Sequence, residues 1–196
     1  MAEIQAKRFT LDEYHRLTEI GFFQEEERLE LIAGEIIQMA AKGTAHETCL
    51  RRLWKQLFPL VGQRATLQSQ SPIIIPPNSE PEPDFAIVKN RADDYFSSHP
   101  TPVDVLLLIE VADSSLDYDQ NVKLPLYAQA GITDYWIFNL LDNWLEIYSE
   151  PHRINQGKAG YSLKRIILPN QQIVLPCFPD SSLDLSKTFP HKDNDR

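Results

Sequence analysis

Five apolar residues in a row, Val105-Leu106-Leu107-Leu108-Ile109, run without a polar break into Glu110. Such a run reads as a central strand buried on both faces. Glu110 then sits at its end, before Val111, where a carboxylate is costly to ionise unless something positive meets it. Upstream, Asp84 opens a second apolar stretch, Phe85-Ala86-Ile87-Val88, after Glu80-Pro81-Glu82-Pro83. Downstream, Lys123 lies in a helix-like segment. Asp, Glu and Lys gathered from two strands and a helix can hold a divalent cation and an activated water.

The other elements follow from periodicity and punctuation. Thr10 and Glu13 have capping-box spacing, and Leu11, Tyr14, Leu17 and Ile20 continue a helix that Gly21 stops. Leu29 to Met39 reads as a hairpin about Ala33-Gly34. Thr44 and Glu47 have the spacing of a second capping box, ahead of the stripe Leu50, Leu53, Trp54, Leu57, Phe58, Val61. Strand signals cover residues 64–69, 73–75 and 85–88, with prolines between the last two. Residues 91–96 read as a short helix and 114–130 as a second main helix. Residues 134–139 and 144–148 form a hairpin, and 161–168 with 172–175 a further pair. Strands between two long helices suggest an α/β (α+β) fold with a mixed sheet.

Length allows one domain with short extensions, the last of them a polar tail at 188–196. No stretch approaches the ~20 apolar residues of a membrane span, and the N-terminus lacks the apolar core of a secretory signal. Cys49 and Cys177 form no metal or disulfide pattern. A cytoplasmic protein is the expectation. The net charge of −9 gives no general attraction to nucleic acid. It counts against a simple nucleic-acid binder more than against a metal-dependent nuclease, whose acids are masked by the ion.

Each candidate has a bland alternative. Asp84 could simply open a strand. Glu110 could reach solvent or an arginine. Lys123 lies four residues after Asp119, so it could form an exposed helical ion pair. His46 shares the apolar stripe of its helix, which suits a boundary residue. Glu30 alternates away from Leu29 and Leu31 and reads as solvated, though it could join the acids. Arg51, Arg52 and Lys55 read as a solvated face, or else as phosphate contacts. Alternation puts Leu106, Leu108, Glu110 and Ala112 on one face, so a lysine at position 112 would lie beside Glu110. Pro125 should bend its helix, or else the helix starts later.

The ordered set Leu29-Glu30-Leu31-Ile32-x-Gly34-Glu35, His46, Pro83-Asp84, Ile109-Glu110-Val111, Asp119, Lys123-Leu124-x-Leu126-Tyr127-Ala128-x-Ala130-Gly131 and Asp134-Tyr135-Trp136-Ile137 resembles the Uma-two family of endonucleases. That family belongs to the PD-(D/E)XK, or restriction-endonuclease-like, superfamily. The resemblance runs over residues 9–187, as one nuclease-like domain, and implies a restriction-endonuclease-like mixed β-sheet flanked by helices and a Mg²⁺-dependent site, with Mn²⁺ as substitute, acting on DNA. Asp84 and Glu110 match its metal-binding acids, joined by the Val111 carbonyl. Lys123 matches a lysine moved from the strand to the helix. Glu30, His46 and Asp119 match recurrent accessory positions. Asp113-Ser114-Ser115-Leu116 departs from the Ser-Pro-Ser-like turn of many members.

Three functions compete on these residues. One is a Mg²⁺-dependent DNA endonuclease. The second is a catalytically inactive nuclease fold that binds nucleic acid or protein. The third is a hydrolase of small phosphate esters. Duplex cutting suggests a homodimer, with the aromatic hairpin Tyr135 to Tyr148 as the contact.

Overall fold

The computed structural model describes residues 5–24, 27–153 and 159–190. Expectations about the first four residues, about 25–26 within the charged linker and about the tail at 191–196 lie outside them. Six strands form one mixed sheet in the order β3-β4-β5-β6-β7-β8: β3 (Thr66–Gln68), β4 (Phe85–Val88), β5 (Val105–Ala112), β6 (Asp134–Asn139), β7 (Trp144–Arg153) and β8 (Ala159–Ile167). Only the β5–β6 pair is parallel. Its crossover carries α3 (Leu116–Tyr118), a π turn (Asp119–Lys123) and α4 (Leu124–Gln129).

The central run behaves as its composition requires. Leu107, Ile109 and Val111 pack on one face with Leu53 and Leu57 of α2 (Thr44–Val61). Leu108 and Ala112 pack on the other with Tyr127, Ile132 and Tyr135. The register of β4 against β5 slips between Ile87↔Leu107 and Val88↔Val105. Leu106 therefore joins the α2 side, against simple alternation.

α1 (Leu11–Glu19) starts with the expected Thr10–Glu13 capping box. β1 (Leu29–Ile32) and β2 (Glu35–Gln38) form the expected hairpin, with Ala33 and Gly34 at positive φ. The second capping box is absent. Gly43 precedes α2 without a side-chain cap, and Glu47 N–H bonds the Gly43 carbonyl, which makes Thr44 the first helical residue. The long helix expected at 114–130 is broken into three pieces. Pro125, lacking an N–H, falls in the first turn of α4, directly after the π turn.

Further expectations are corrected. Ile73 and Ile75 are core residues without a ladder, since Pro72, Pro76 and Pro77 leave only the bridge Ile75↔Ser79. Residues 91–96 form turns, with Asp94 and Tyr95 at positive φ. β8 pairs with β7, while β9 (Gln172–Leu175) pairs with β10 (Phe178–Asp184), whose polar sequence hid it. Thr188 and Phe189 are buried, and Phe189 packs in the α2-side core. In the hairpin expected as a dimer contact, Tyr135, Trp136, Phe138 and Tyr148 are buried within the chain, while Leu141 is exposed and Trp144 half-buried.

Candidate active site

The sheet register places the two acids. Phe85 pairs with Ile109, so Asp84, just before β4, comes opposite Glu110 within β5. Asp84 N–H donates to Glu110 Oε2 at 3.2 Å, and Val111 N–H donates to Asp84 Oδ2 at 2.9 Å. In an extended strand the N–H and C=O of one residue point to the same side. The Ala112 carbonyl accepts from Leu140 beyond β6, so the Val111 carbonyl faces the opposite edge, toward Asp84.

Lys123 arrives from the π turn and is 2% exposed. Its Nζ donates to Glu110 Oε1 and Glu30 Oε1, each at 3.0 Å. Its ion pairs are with these two residues, not with Asp119. The exposed-pair alternative is therefore excluded. Asp119 is itself buried and accepts from Ser115 Oγ at 2.7 Å.

Two accessory residues differ from the bland reading. Glu30 is 1% exposed rather than solvated, because β1 bridges to Glu80 through Leu31 and Lys123 reaches it from the π turn. Its Oε1 also accepts from Glu82 N–H at 2.9 Å, while Oε2 has no partner. His46 Nε2 lies 2.9 Å from Asp84 Oδ2, and its Nδ1 is buried without a partner. Ala112 is buried against Tyr127, Ile132 and Tyr135, so a lysine could not be housed there.

Sequence reasoning missed Tyr127 and Gln70. Tyr127 OH donates to Glu110 Oε1 at 3.0 Å. Its place four residues after Lys123, on one helical face, was the available signal. Gln70 Nε2 donates to Asp84 Oδ1 at 3.2 Å from a loop position with positive φ, where no pattern marks it.

Electrostatics divides the two acids. Burial pushes the Asp84 carboxyl up, but the bond and charge of His46 and the Val111 N–H outweigh it, leaving it below the usual range. Burial drives Glu110 well above the carboxylate range; Lys123 opposes this, and Asp119 and Asp84 add to it. Burial would lower Lys123, but Glu110, Tyr127, Glu30 and Asp119 hold it well above the usual lysine value. Burial raises Asp119 to about 6 despite Lys123 and Ser115.

These groups open on a cavity of about 220 Å³ whose walls include Asp84, Glu110, Asp119 and Lys123. The donors that the resemblance implies for a metal, Asp84, Glu110 and the Val111 carbonyl, are all hard oxygens. Among the described residues no three His, Cys, Asp or Glu side chains are grouped to hold an ion. Two carboxylates and a carbonyl, with water completing the shell, suit a cation that keeps much of its hydration, as Mg²⁺ does.

The model of the Uma2 family, described as "Putative restriction endonuclease", matches residues 11–186. The chain belongs to this family. A crystal structure of "a putative nuclease belonging to DUF820" from Anabaena variabilis is similar to this Uma2 chain with a TM-score of 0.69. The two are 17% identical, and the match covers 92% of this chain and 97% of that one. At that identity the likeness establishes the fold, a mixed sheet flanked by helices. No curated protein matches. No helix among the described residues is long and apolar enough to cross a membrane.

Proposed function

We propose that this Uma2 protein is a Mg²⁺-dependent endonuclease of the cytoplasm that hydrolyses phosphodiester bonds of DNA, with Mn²⁺ as a substitute ion. One observation carries the reading: Asp84 and Glu110 stand side by side at the neighbouring strands β4 and β5, with a buried ammonium on Glu110. Asp84, Glu110 and the Val111 carbonyl would hold the ion, which supplies Lewis acidity to the scissile phosphate and acidifies a bound water. His46 and Gln70 orient the Asp84 carboxylate, and His46 favours its ionised form.

Lys123 has three donors and spends two, on Glu30 and Glu110. The third is left for a phosphate oxygen or the attacking water. Anchored at both carboxylates, the ammonium needs little reorganisation as charge develops on the phosphate. Tyr127 fixes Glu110 from the same helical face.

The test is cleavage of end-labelled DNA duplex and of the matching RNA, with and without Mg²⁺. Internal cutting of DNA that needs the ion, and that drops by ~10²-fold or more in Glu110→Gln, is expected. No cutting of DNA in Mg²⁺ or Mn²⁺ would refute it. Cutting both strands calls for two copies on a two-fold axis, which light scattering on the DNA complex would detect.

A second reading, a binding module without catalysis, draws on one observation. Each oxygen of Asp84 and Glu110 already accepts a hydrogen bond within the chain. Binding of DNA without cleavage would select it.

A further inference from the structure

The cavity walls carry three Lys or Arg side chains: Arg28, Lys42 and Lys123. Lys123 is neutralised by Glu30 and Glu110. Arg28, just before β1, and Lys42, one residue before Gly43 and α2, are half-buried. Neither makes a side-chain hydrogen bond or ion pair among the described residues, in a chain of net charge −9. Half-buried cations normally pair or extend their heads to water. Here two face one cavity, close enough that Lys42 feels the Arg28 charge after the larger effect of its own burial. The backbone holds them there, since Met39 N–H bonds the Arg28 carbonyl at 2.8 Å, three residues ahead of Lys42.

The same cavity repels its expected substrate. Asp84, Glu110, Asp119 and Glu82 all line it. A phosphodiester entering among them carries a further negative charge, and its compensation must come from the wall. We propose that Arg28 and Lys42 are a clamp for backbone phosphate, gripping the non-bridging oxygens of the nucleic-acid strand beside the scissile bond. Arg offers a bidentate fork to such oxygens and Lys a point charge. This rests on the phosphodiesterase reading above and gives it substrate-positioning residues.

The competing account is that both cations merely balance Glu82. That half-buried carboxyl is raised by burial and by Glu30, and lowered by Arg28, Lys123 and Lys42. Neither cation lies within ion-pair distance of it, and its only described tether is its own N–H on Glu30.

The experiment is fluorescence anisotropy of a labelled DNA duplex across a salt series, with Ca²⁺ in place of Mg²⁺, alongside single-turnover cleavage in Mg²⁺. Arg28→Ala with Lys42→Ala should weaken binding roughly tenfold or more and flatten the slope of log K against log salt by about two. Lys42→Arg should bind like wild type. The melting temperature of the double variant should match wild type, because no ion pair is lost. Half-saturating DNA should rise more than the rate at saturation falls. An unchanged affinity and salt slope would overturn the clamp, as would full recovery of binding on adding Glu82→Gln. Wild-type cleavage with an insensitive double variant sinks the clamp alone. Binding that depends on both cations but never leads to cleavage sinks the nuclease alone. No DNA binding by wild type sinks both.

Discussion

Lys123 Nζ donates to Glu30 Oε1 at 3.0 Å across 93 positions of sequence. Both side chains are 2% exposed. Removing one partner of a buried pair leaves the other charge uncompensated, at about 3–5 kcal/mol. Lys123→Met should lose about that much in urea unfolding, and adding Glu30→Gln should recover part of it. Cleavage at saturating DNA should fall by ~10²-fold or more in Lys123→Met. Wild-type stability and rate in that variant would show the ammonium to be idle.

Returning the lysine to the strand should not rescue that loss. Ala112 is fully buried beside Tyr127 and Ile132. A lysine there overpacks the core by about 1–3 kcal/mol, before any cost of its charge. Lys123→Met with Ala112→Lys should be less stable than either single variant and show no recovery of rate. Restored cleavage would mean that the space beside Glu110 is larger than the packing allows.

Mg²⁺ should raise the melting temperature of wild type, because a ligand that binds only the folded chain stabilises it by RT ln(1 + [L]/Kd). Asp84→Asn with Glu110→Gln should abolish the rise, and chelation should reverse it in wild type. Scanning fluorimetry against millimolar Mg²⁺ or Mn²⁺ reads both. A flat response in wild type would remove the metal from the site.

Asp119 gives a pH signature. Burial raises its carboxyl from an ordinary 3.8 to about 6. The folded state then binds the extra proton between those values, so this group's contribution to stability falls as pH rises through the window. Asp119→Asn should lose that slope and be more stable than wild type at neutral pH by roughly 1–3 kcal/mol. Parallel pH–stability curves for the two chains would contradict it.

Glu146 works in the opposite direction. Burial pushes it up, but bonds from Tyr148, Lys164, Trp144 and Gln120 outweigh this and bring it from 4.5 to about 2. The stabilisation is present above 4.5 and is lost as pH falls toward about 2. Glu146→Gln should cost about 1–3 kcal/mol at neutral pH, solvent around half-exposed Lys164 trimming the figure. Its acid limb should be shallower than that of wild type. Gln120, held by Glu146 at 2.8 Å, sits within the π turn that carries Lys123. The same variant should therefore also lower the cleavage rate.

The chemistry was legible where charge interrupts an apolar pattern. Asp84 and Glu110 stand out because each adjoins an apolar strand run, whereas Lys123 has Asp119 four residues before it and is marked by the family resemblance. Glu30 was less legible: alternation says that it faces away from Leu29 and Leu31, but not that another layer lies there too. The pairing of β9 with β10 was hidden for a related reason. Phe178-Pro-Asp-Ser-Ser-Leu-Asp turns a mostly polar face to solvent, so it carries no strand signal. The π turn could be suspected from Pro125, yet its geometry depends on Gln120 reaching Glu146, a contact that local pattern does not encode.

The single parallel pairing among the described residues, β5 against β6, bears on when the candidate site is assembled during synthesis. Parallel neighbours cannot close as a hairpin; the whole crossover from Asp113 to Thr133 must be in place first. Long-range closures of this kind are slow. Lys123 rides on that crossover and reaches back to Glu30, whereas Asp84 and Glu110 meet through an antiparallel contact closer in sequence. A nascent chain can thus present its two acids before it possesses its ammonium. On the proposed function, the site would be complete only when about two-thirds of the polypeptide has been made and folded, a delay set by topology.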